Sequence, residues 1–260
     1  MENPNTLKKL QSIADESFRK SAEFLNERED VNEEIMKNWR LLLTDSEINS
    51  CVEHCARVIQ DKFRGKKIVI VCILKGAVYF LVDLTRKLTI PHSIYGVECS
   101  SYKGQHQHGI EILSLIQPEK FQDKDAVVIV DELVDNGTTM ESVEHLIIKD
   151  GGVPPEKIFK VALFNKDNDC QYKGLDLCGI TLGNLWLVGY GLDNLTFLRN
   201  WTHLYGCPKA EGIQKSTADK IFEDPIYYAQ EREKLINICN RYEQDTIKRN
   251  SLKGKYSIKY

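Results

Sequence analysis

Val127–Met140 reads VVIVDELVDNGTTM, and the fold turns on this stretch. Val127 to Val130 are aliphatic without a break, too apolar for a strand with one solvated face, so they belong inside a parallel sheet covered on both sides. The C-terminal end of that strand delivers Asp131, Glu132 and Asp135. Asn136-Gly137-Thr138-Thr139 follows. The glycine permits a tight turn, and hydroxyls and amide N–H groups gather at the start of the next helix, an arrangement that receives a phosphate.

A carboxylate pair beside a phosphate cradle is electrostatically unfavourable unless the ligand also offers the acids hydroxyls, a protonated group or a divalent cation. A ribose 5-phosphate carrying magnesium supplies these. The same residues also suit an ordinary buried strand, turn and helix cap, because Asp, Asn, Gly and Thr are common at such junctions. The surrounding segments decide between the two.

Lys67 to Leu74, KIVIVCIL, has the same all-aliphatic character, ends at Lys75-Gly76-Ala77 and leads into an amphipathic stretch from Val78 to Leu88. Apolar runs at Ser93 to Cys99, Ile158 to Phe164 and Leu185 to Gly189 add strands, giving the alternation of a doubly wound α/β sheet. A helix is predicted from about Asp45, its N-cap together with Ser46, to Gln60 or Phe63. Upstream, Leu7, Leu10, Ala14, Phe18, Ala22 and Leu25 recur every three or four positions, the mark of an amphipathic helix packing on the core or on a neighbouring subunit. SSYKGQHQHG, from Ser100 to Gly109, is polar and aperiodic and is expected to be a mobile surface loop. Past Pro208, Tyr228, Leu235, Cys239 and Tyr242 fall at helical spacing, and the last ten residues are expected to be disordered. The chain therefore divides into an N-terminal helical extension (1–40), a core with its hood (41–209) and a C-terminal helical extension with a basic tail (210–260).

At 260 residues with a net charge of -3, the chain can bury a large core and presents no overall basic footprint for nucleic acid or an anionic membrane. Cys51, Cys55, Cys72, Cys99, Cys170, Cys178, Cys207 and Cys239 include no CxxC pair and are expected to be reduced, buried thiols of a cytoplasmic protein. His54, between Cys51 and Cys55, lacks further ligands for a metal, as do His106 and His108. The opening MENPNTLKKL has no basic start followed by an apolar run, no segment approaches the roughly 18 apolar residues of a membrane span, and the final Ile-Lys-Tyr is not a peroxisomal address.

The acidic strand end and phosphate turn resemble the phosphoribosyl diphosphate (PRPP) motif of the type I phosphoribosyltransferases, and the wider chain, from Asp45 to Lys209, is similar to their hypoxanthine-guanine branch. The resemblance implies a Rossmann-like parallel-sheet core with a small hood and transfer of ribose 5-phosphate from PRPP to a purine base, yielding a nucleoside monophosphate (IMP or GMP) and pyrophosphate. Asp131 and Glu132 would then hold the ribose hydroxyls and Mg2+, the backbone from Asp135 through Asn136, Gly137 and Thr138 to Thr139 would wrap the 5-phosphate, and Asp135 would exchange a proton with N7 of the base. Relatives carry Glu then Asp where this chain has Asp131-Glu132, Thr where it has Asn136 and often Lys where it has Thr138.

By the same resemblance, Lys75-Gly76 forms the pyrophosphate loop, with a cis peptide before the lysine. Arg199 grips pyrophosphate, Asp193 binds a second Mg2+, and Ser101-Tyr102 roots a lid that excludes water from an oxocarbenium-like species. Lys166 meets the exocyclic oxygen of a 6-oxopurine, and since lysine donates but cannot accept it disfavours a 6-amino base. Trp186 stacks on the purine, worth about 1–3 kcal/mol by analogy with base stacking, while backbone near Leu187 and Leu192 reads the 2-position. Each of these residues also has a plain reading: a solvated lysine, a core tryptophan, a surface charge.

Competing phosphate motifs fail on residues. There is no GxxxxGK[ST], and Gly189-Tyr190-Gly191 lacks a glycine at 194. A xanthine-preferring sister enzyme and a non-catalytic PRPP or nucleotide sensor are the alternatives. The resemblance further implies a homodimer or homotetramer.

Overall fold

A computed structural model describes residues 4–103, 108–167, 172–209 and 213–255. In chain order its elements are α1 (Pro4–Asn26), α2 (Glu33–Asn38), β1 (Arg40–Leu43), α3 (Asp45–Lys62), β2 (Ile68–Leu74), α4 (Val78–Lys87), β3 (His92–Lys103), β4 (His108–Ile112), β5 (Ala126–Val134), α5 (Thr138–Lys149), β6 (Ile158–Asp167), β7 (Leu177–Gly183), β8 (Trp186–Val188), β9 (Leu204–Cys207) and α6 (Pro225–Lys255). The chain forms two compact units, residues 54–182 and residues 1–53 with 183–260.

The first unit is built on a six-stranded sheet in the order β4-β3-β2-β5-β6-β7. β3, β2, β5 and β6 run parallel, and β4 is antiparallel to β3. The aliphatic runs of β2 and β5 are buried residue after residue, as strands covered on both faces must be. Met140, Val143 and Ile147 on one stripe of α5 pack against Val127, Ile129 and Ala162. The register pairs Cys72 with Val130 and Val134 with Asn165, so the C-terminal ends of β2, β5 and β6 lie along one edge of the sheet. In open α/β sheets this edge receives ligands.

Where a loop is expected from Ser100 to Gly109, β3 instead runs on to Lys103 and pairs with β4 from His108, with Tyr102 opposite Gly109. Polarity reports exposure of side chains, while a hairpin is held by backbone groups that every residue carries. Residues 104–107, including His106, lie outside the described residues.

The second unit carries the antiparallel sheet β1-β9-β8 and both terminal helices. α1 packs along α6, and both lie on β1. The expected division at residues 40 and 209 therefore does not coincide with the observed one, because each terminal helix buries its apolar stripe on the other. α1 is rotated from the expected face. Leu10, Ala14, Ser17, Ser21 and Leu25 are buried, whereas Ala22 is exposed and Phe18 lies partly exposed against the Tyr228 ring. The two serines go inside because buried polar partners await them. Ser17 Oγ accepts from Arg232 Nε at 3.2 Å, and Ser21 Oγ donates to Tyr205 OH at 3.3 Å.

α3 begins at Asp45, but its cap is Thr44 and not Asp45 with Ser46. The Glu47 amide donates to Thr44 Oγ1 at 3.4 Å and the Thr44 amide to Glu47 Oε2 at 2.7 Å, a reciprocal capping box. α6 continues to Lys255, so half of the expected disordered tail is helical; 256–260 lie outside the described residues. Among the described residues Cys51, Cys55, Cys72, Cys207 and Cys239 are buried and Cys99 and Cys178 half-buried, none of them in a disulfide; Cys170 lies outside the described residues. His54 Nδ1 lies 3.0 Å from Arg57 Nη2, and among the described residues it takes part in no metal-binding cluster. No described helix is long and apolar enough to cross a membrane.

Candidate active site

At the end of β5, alternation separates the two acids. Asp131 is buried, with 6 % of its surface exposed, and its Oδ1 accepts from the Glu132 amide at 3.0 Å. Glu132 is half-buried, and its carboxyl reaches the pyrophosphate-loop segment, where a Cβ on Gly76 would collide with it. Burial, then the charge of Glu132 and a hydrogen bond from it, push the Asp131 carboxyl well above the usual carboxylate range. The same negative field joins burial in raising the Cys72 thiol to about 12 and Cys99 to about 11. Two crowded carboxyls of this kind fit a cation. Among the described residues no cluster of three or more His, Cys, Asp or Glu forms; the carboxyl pair would suit Mg2+ completing its shell with water and ligand phosphates.

Beyond Val134 the chain makes the phosphate turn. Asn136 Oδ1 accepts from the Thr138 amide at 3.1 Å, and Gly137, the N-cap of α5, sits at a left-handed φ of +84°. The Tyr172 ring packs directly beneath Gly137, where any Cβ would strike it. Glycine is thus required twice here, by conformation and by space.

Lys75 follows a cis Leu74–Lys75 peptide, as expected, and its ammonium lies 3.5 Å from Glu98 Oε1. Lys166 is not the solvated lysine of its plain reading. It is 8 % exposed and its Nζ lies 2.9 Å from Asp135 Oδ2. The β5–β6 register brings these together, since Val134 and Asn165 are partners one residue earlier. The Asn165 amide oxygen is buried with no hydrogen-bond partner among the described residues. Asn165, Glu98 and Tyr172 join the site unforeseen, because nothing in local sequence says which side chain a cross-strand neighbour will face.

In the other unit, Trp186 stands in β8 with 45 % of its surface exposed, not buried as core, while Leu187 and Leu192 are buried. Gly189 to Trp201 fold into a tight double-backed loop. The Tyr190 amide donates to the Trp201 carbonyl and the Gly191 amide to that of Arg199, each at 2.8 Å. Tyr190, Leu195, Thr196 and Leu198 all take positive φ. Asp193 Oδ1 lies 2.7 Å from Arg199 Nη2, Asp193 Oδ2 accepts from the Thr196 amide at 2.8 Å, and Arg199 Nη1 donates to the Gly191 carbonyl at 2.7 Å. The two residues assigned to magnesium and pyrophosphate are thus paired with each other. Ser101 and Tyr102 belong to β3; their side chains lie outside the described set.

Residues 43–192 match the family model of the phosphoribosyl transferase domain. The chain is 31% identical over 175 residues to a hypoxanthine-guanine phosphoribosyltransferase of Aquifex aeolicus, covering 65% of this chain and 94% of that one. It is 26% identical to a hypoxanthine-guanine-xanthine phosphoribosyltransferase of Tritrichomonas foetus, covering 62% and 87%. A crystal structure of a Staphylococcus aureus hypoxanthine phosphoribosyltransferase superposes with a TM-score of 0.58 at 24% identity, over 72% of this chain and 100% of that one.

Proposed function

Because this chain belongs to the phosphoribosyltransferase family, we propose that it transfers ribose 5-phosphate from PRPP to a 6-oxopurine, hypoxanthine or guanine, releasing IMP or GMP and pyrophosphate in purine salvage. The observation that carries the reading is the shared sheet edge in one unit: a carboxyl pair with Asp131 buried and Glu132 half-buried, a turn with a left-handed glycine, and a buried lysine held by the acid that opens the turn.

Each part has a task. Glu132, half-buried, faces the ribose hydroxyls and carries the charge that steadies an oxocarbenium-like sugar, and Asp131 beneath it fixes its backbone. Magnesium, when bound, neutralises departing pyrophosphate. The amides from Asp135 to Thr139 bind the 5-phosphate. Asp135 takes the N7 proton, and its ion pair with Lys166 aims it. Lys166 also supplies the donor for a 6-oxo group and so disfavours a 6-amino purine. Trp186, Leu187 and Leu192 are the residues for the base, and Lys75, Gly76, Asp193 and Arg199 those for magnesium pyrophosphate. Assembly as a homodimer or homotetramer and a cytoplasmic location belong to the same proposal.

Incubating the protein with PRPP, magnesium and a panel of purines tests it. Product from hypoxanthine or guanine and none from adenine is the expected result. Preference for xanthine would move the substrate to the base named for the Tritrichomonas relative, and product from no base would favour a sensor.

A further inference from the structure

The N-terminal segment precedes the family match, yet it reaches the loop that carries Asp193 and Arg199. The contact is Trp201, which is 1 % exposed. Its Nε1 donates to Asp30 Oδ2 at 3.2 Å. Asp30 is in turn held by a two-pronged pair from Arg28, with Nε at 2.9 Å and Nη2 at 2.7 Å, and the Arg28 guanidinium lies 5.6 Å from the Trp201 ring centre. Phe24 meets the same indole edge-on at 5.6 Å. These contacts fix the indole in position and in rotation, because a hydrogen bond, a cation over the ring and an edge-on ring constrain different directions.

What Trp201 does, the loop must follow. Its carbonyl holds the Tyr190 amide, and two residues earlier the Arg199 carbonyl holds the Gly191 amide. Arg199 then bonds Gly191 and Asp193. Four non-glycine residues at positive φ keep that shape only where surrounding contacts over-determine it. We propose that Asp30, with Arg28 and Phe24 behind it, is a positioning residue for the Asp193–Arg199 loop, which makes the segment before the family domain part of the machinery that binds magnesium pyrophosphate.

This rests on the phosphoribosyltransferase reading, so the test separates the two. Asp30→Ala removes the acceptor and the Arg28 partner, while Asp30→Asn keeps an acceptor for Trp201. Steady-state kinetics with PRPP and hypoxanthine, and calorimetric titration with magnesium pyrophosphate, are run on the full chain. Since a displacement of about 1 Å can cost about 10²-fold, Asp30→Ala is expected to raise the KM for PRPP and weaken magnesium pyrophosphate by about tenfold or more, with the KM for hypoxanthine little changed. Asp30→Asn restores most of the loss. A merely structural role would lower the melting temperature and leave the ratio of the two KM values alone. Unchanged PRPP KM and pyrophosphate affinity in Asp30→Ala, or no magnesium pyrophosphate binding by the parent protein, overturns the proposal. A parent protein that binds magnesium pyrophosphate but turns over no purine overturns the enzymatic reading alone, and the binding arm still decides Asp30.

Discussion

The two units put chemistry on the page by opposite routes. In residues 54–182 the candidate groups emerge at the ends of parallel strands, where register alone lines up Lys75, Asp131, Asp135 and Lys166. In residues 1–53 and 183–260 the candidate groups sit on an irregular loop whose shape depends on aromatic and ionic contacts from α1 and its following turn. The first arrangement is cheap to encode, since alternation and burial of a strand dictate it. The second needs partners far apart in the chain, so it tolerates fewer substitutions outside the loop itself.

That contrast can be broken most severely at Asp135. Asp135→Asn should cut kcat by about 10² to 10⁴ with the unfolding midpoint nearly unmoved, as measured by initial rates and urea titration. A large drop in stability instead would mean that the Lys166 pair is structural first.

In the second unit the largest effect is expected on stability. Arg232 is 1 % exposed, bonds the Leu42 carbonyl at 2.6 Å and pairs with Glu47 through both of its Nη atoms at 3.0 Å. Glu47→Ala strands this charge and should cost about 3–5 kcal/mol in denaturant unfolding. Burial of Glu47 acts to raise its carboxyl, but the Arg232 charge and the hydrogen bonds from Arg232 and Thr44 prevail and hold it below the ordinary value. A depressed folded value means that the contribution is complete above the unfolded glutamate value of about 4.3 and is lost as pH falls through the folded one. Urea midpoints of the parent should therefore drop on acidification below that point, and those of Glu47→Ala should drop less.

Gly189→Ala comes next. The residue sits at φ +97° and a Cβ would strike the His203 carbonyl, a backbone atom that cannot swing away, so a loss of about 3 kcal/mol is expected. Gly76→Ala tests the opposite kind of clash. There the obstacle is the end of the flexible Glu132 side chain, so the carboxyl moves and the fold stays. Turnover should fall about tenfold with little change in melting temperature. If Gly76→Ala destabilises as much as Gly189→Ala, the first unit is no more tolerant than the second.

Much of the first unit was legible because its signals are local. Aliphatic runs mark buried strands, and VDNGT marks a turn into a helix. The reversed Asp131-Glu132 order left open which acid faces the ligand, and only the strand's placement in its sheet settled that Asp131 goes in and Glu132 faces Gly76. The second unit was legible only in outline. Leu10, Ala14 and Leu25 announce an amphipathic helix, but its true face includes Ser17 and Ser21, whose partners Arg232 and Tyr205 lie in distant segments. Thr44-x-x-Glu47 is a capping box legible in the sequence itself, one position before Asp45.

By itself the amino-acid order determined which segments become strands and helices and which residue types meet at the acidic turn, because hydrophobic periodicity and backbone conformational preference act over a few neighbours. Only the tertiary structure decided that Lys166 is buried on Asp135, that Tyr172 supports Gly137 and that Asp30 grips Trp201. Those outcomes depend on which surfaces exclude water together, and side chains separated by 31 or 171 positions acquire a common environment only when the whole chain has packed.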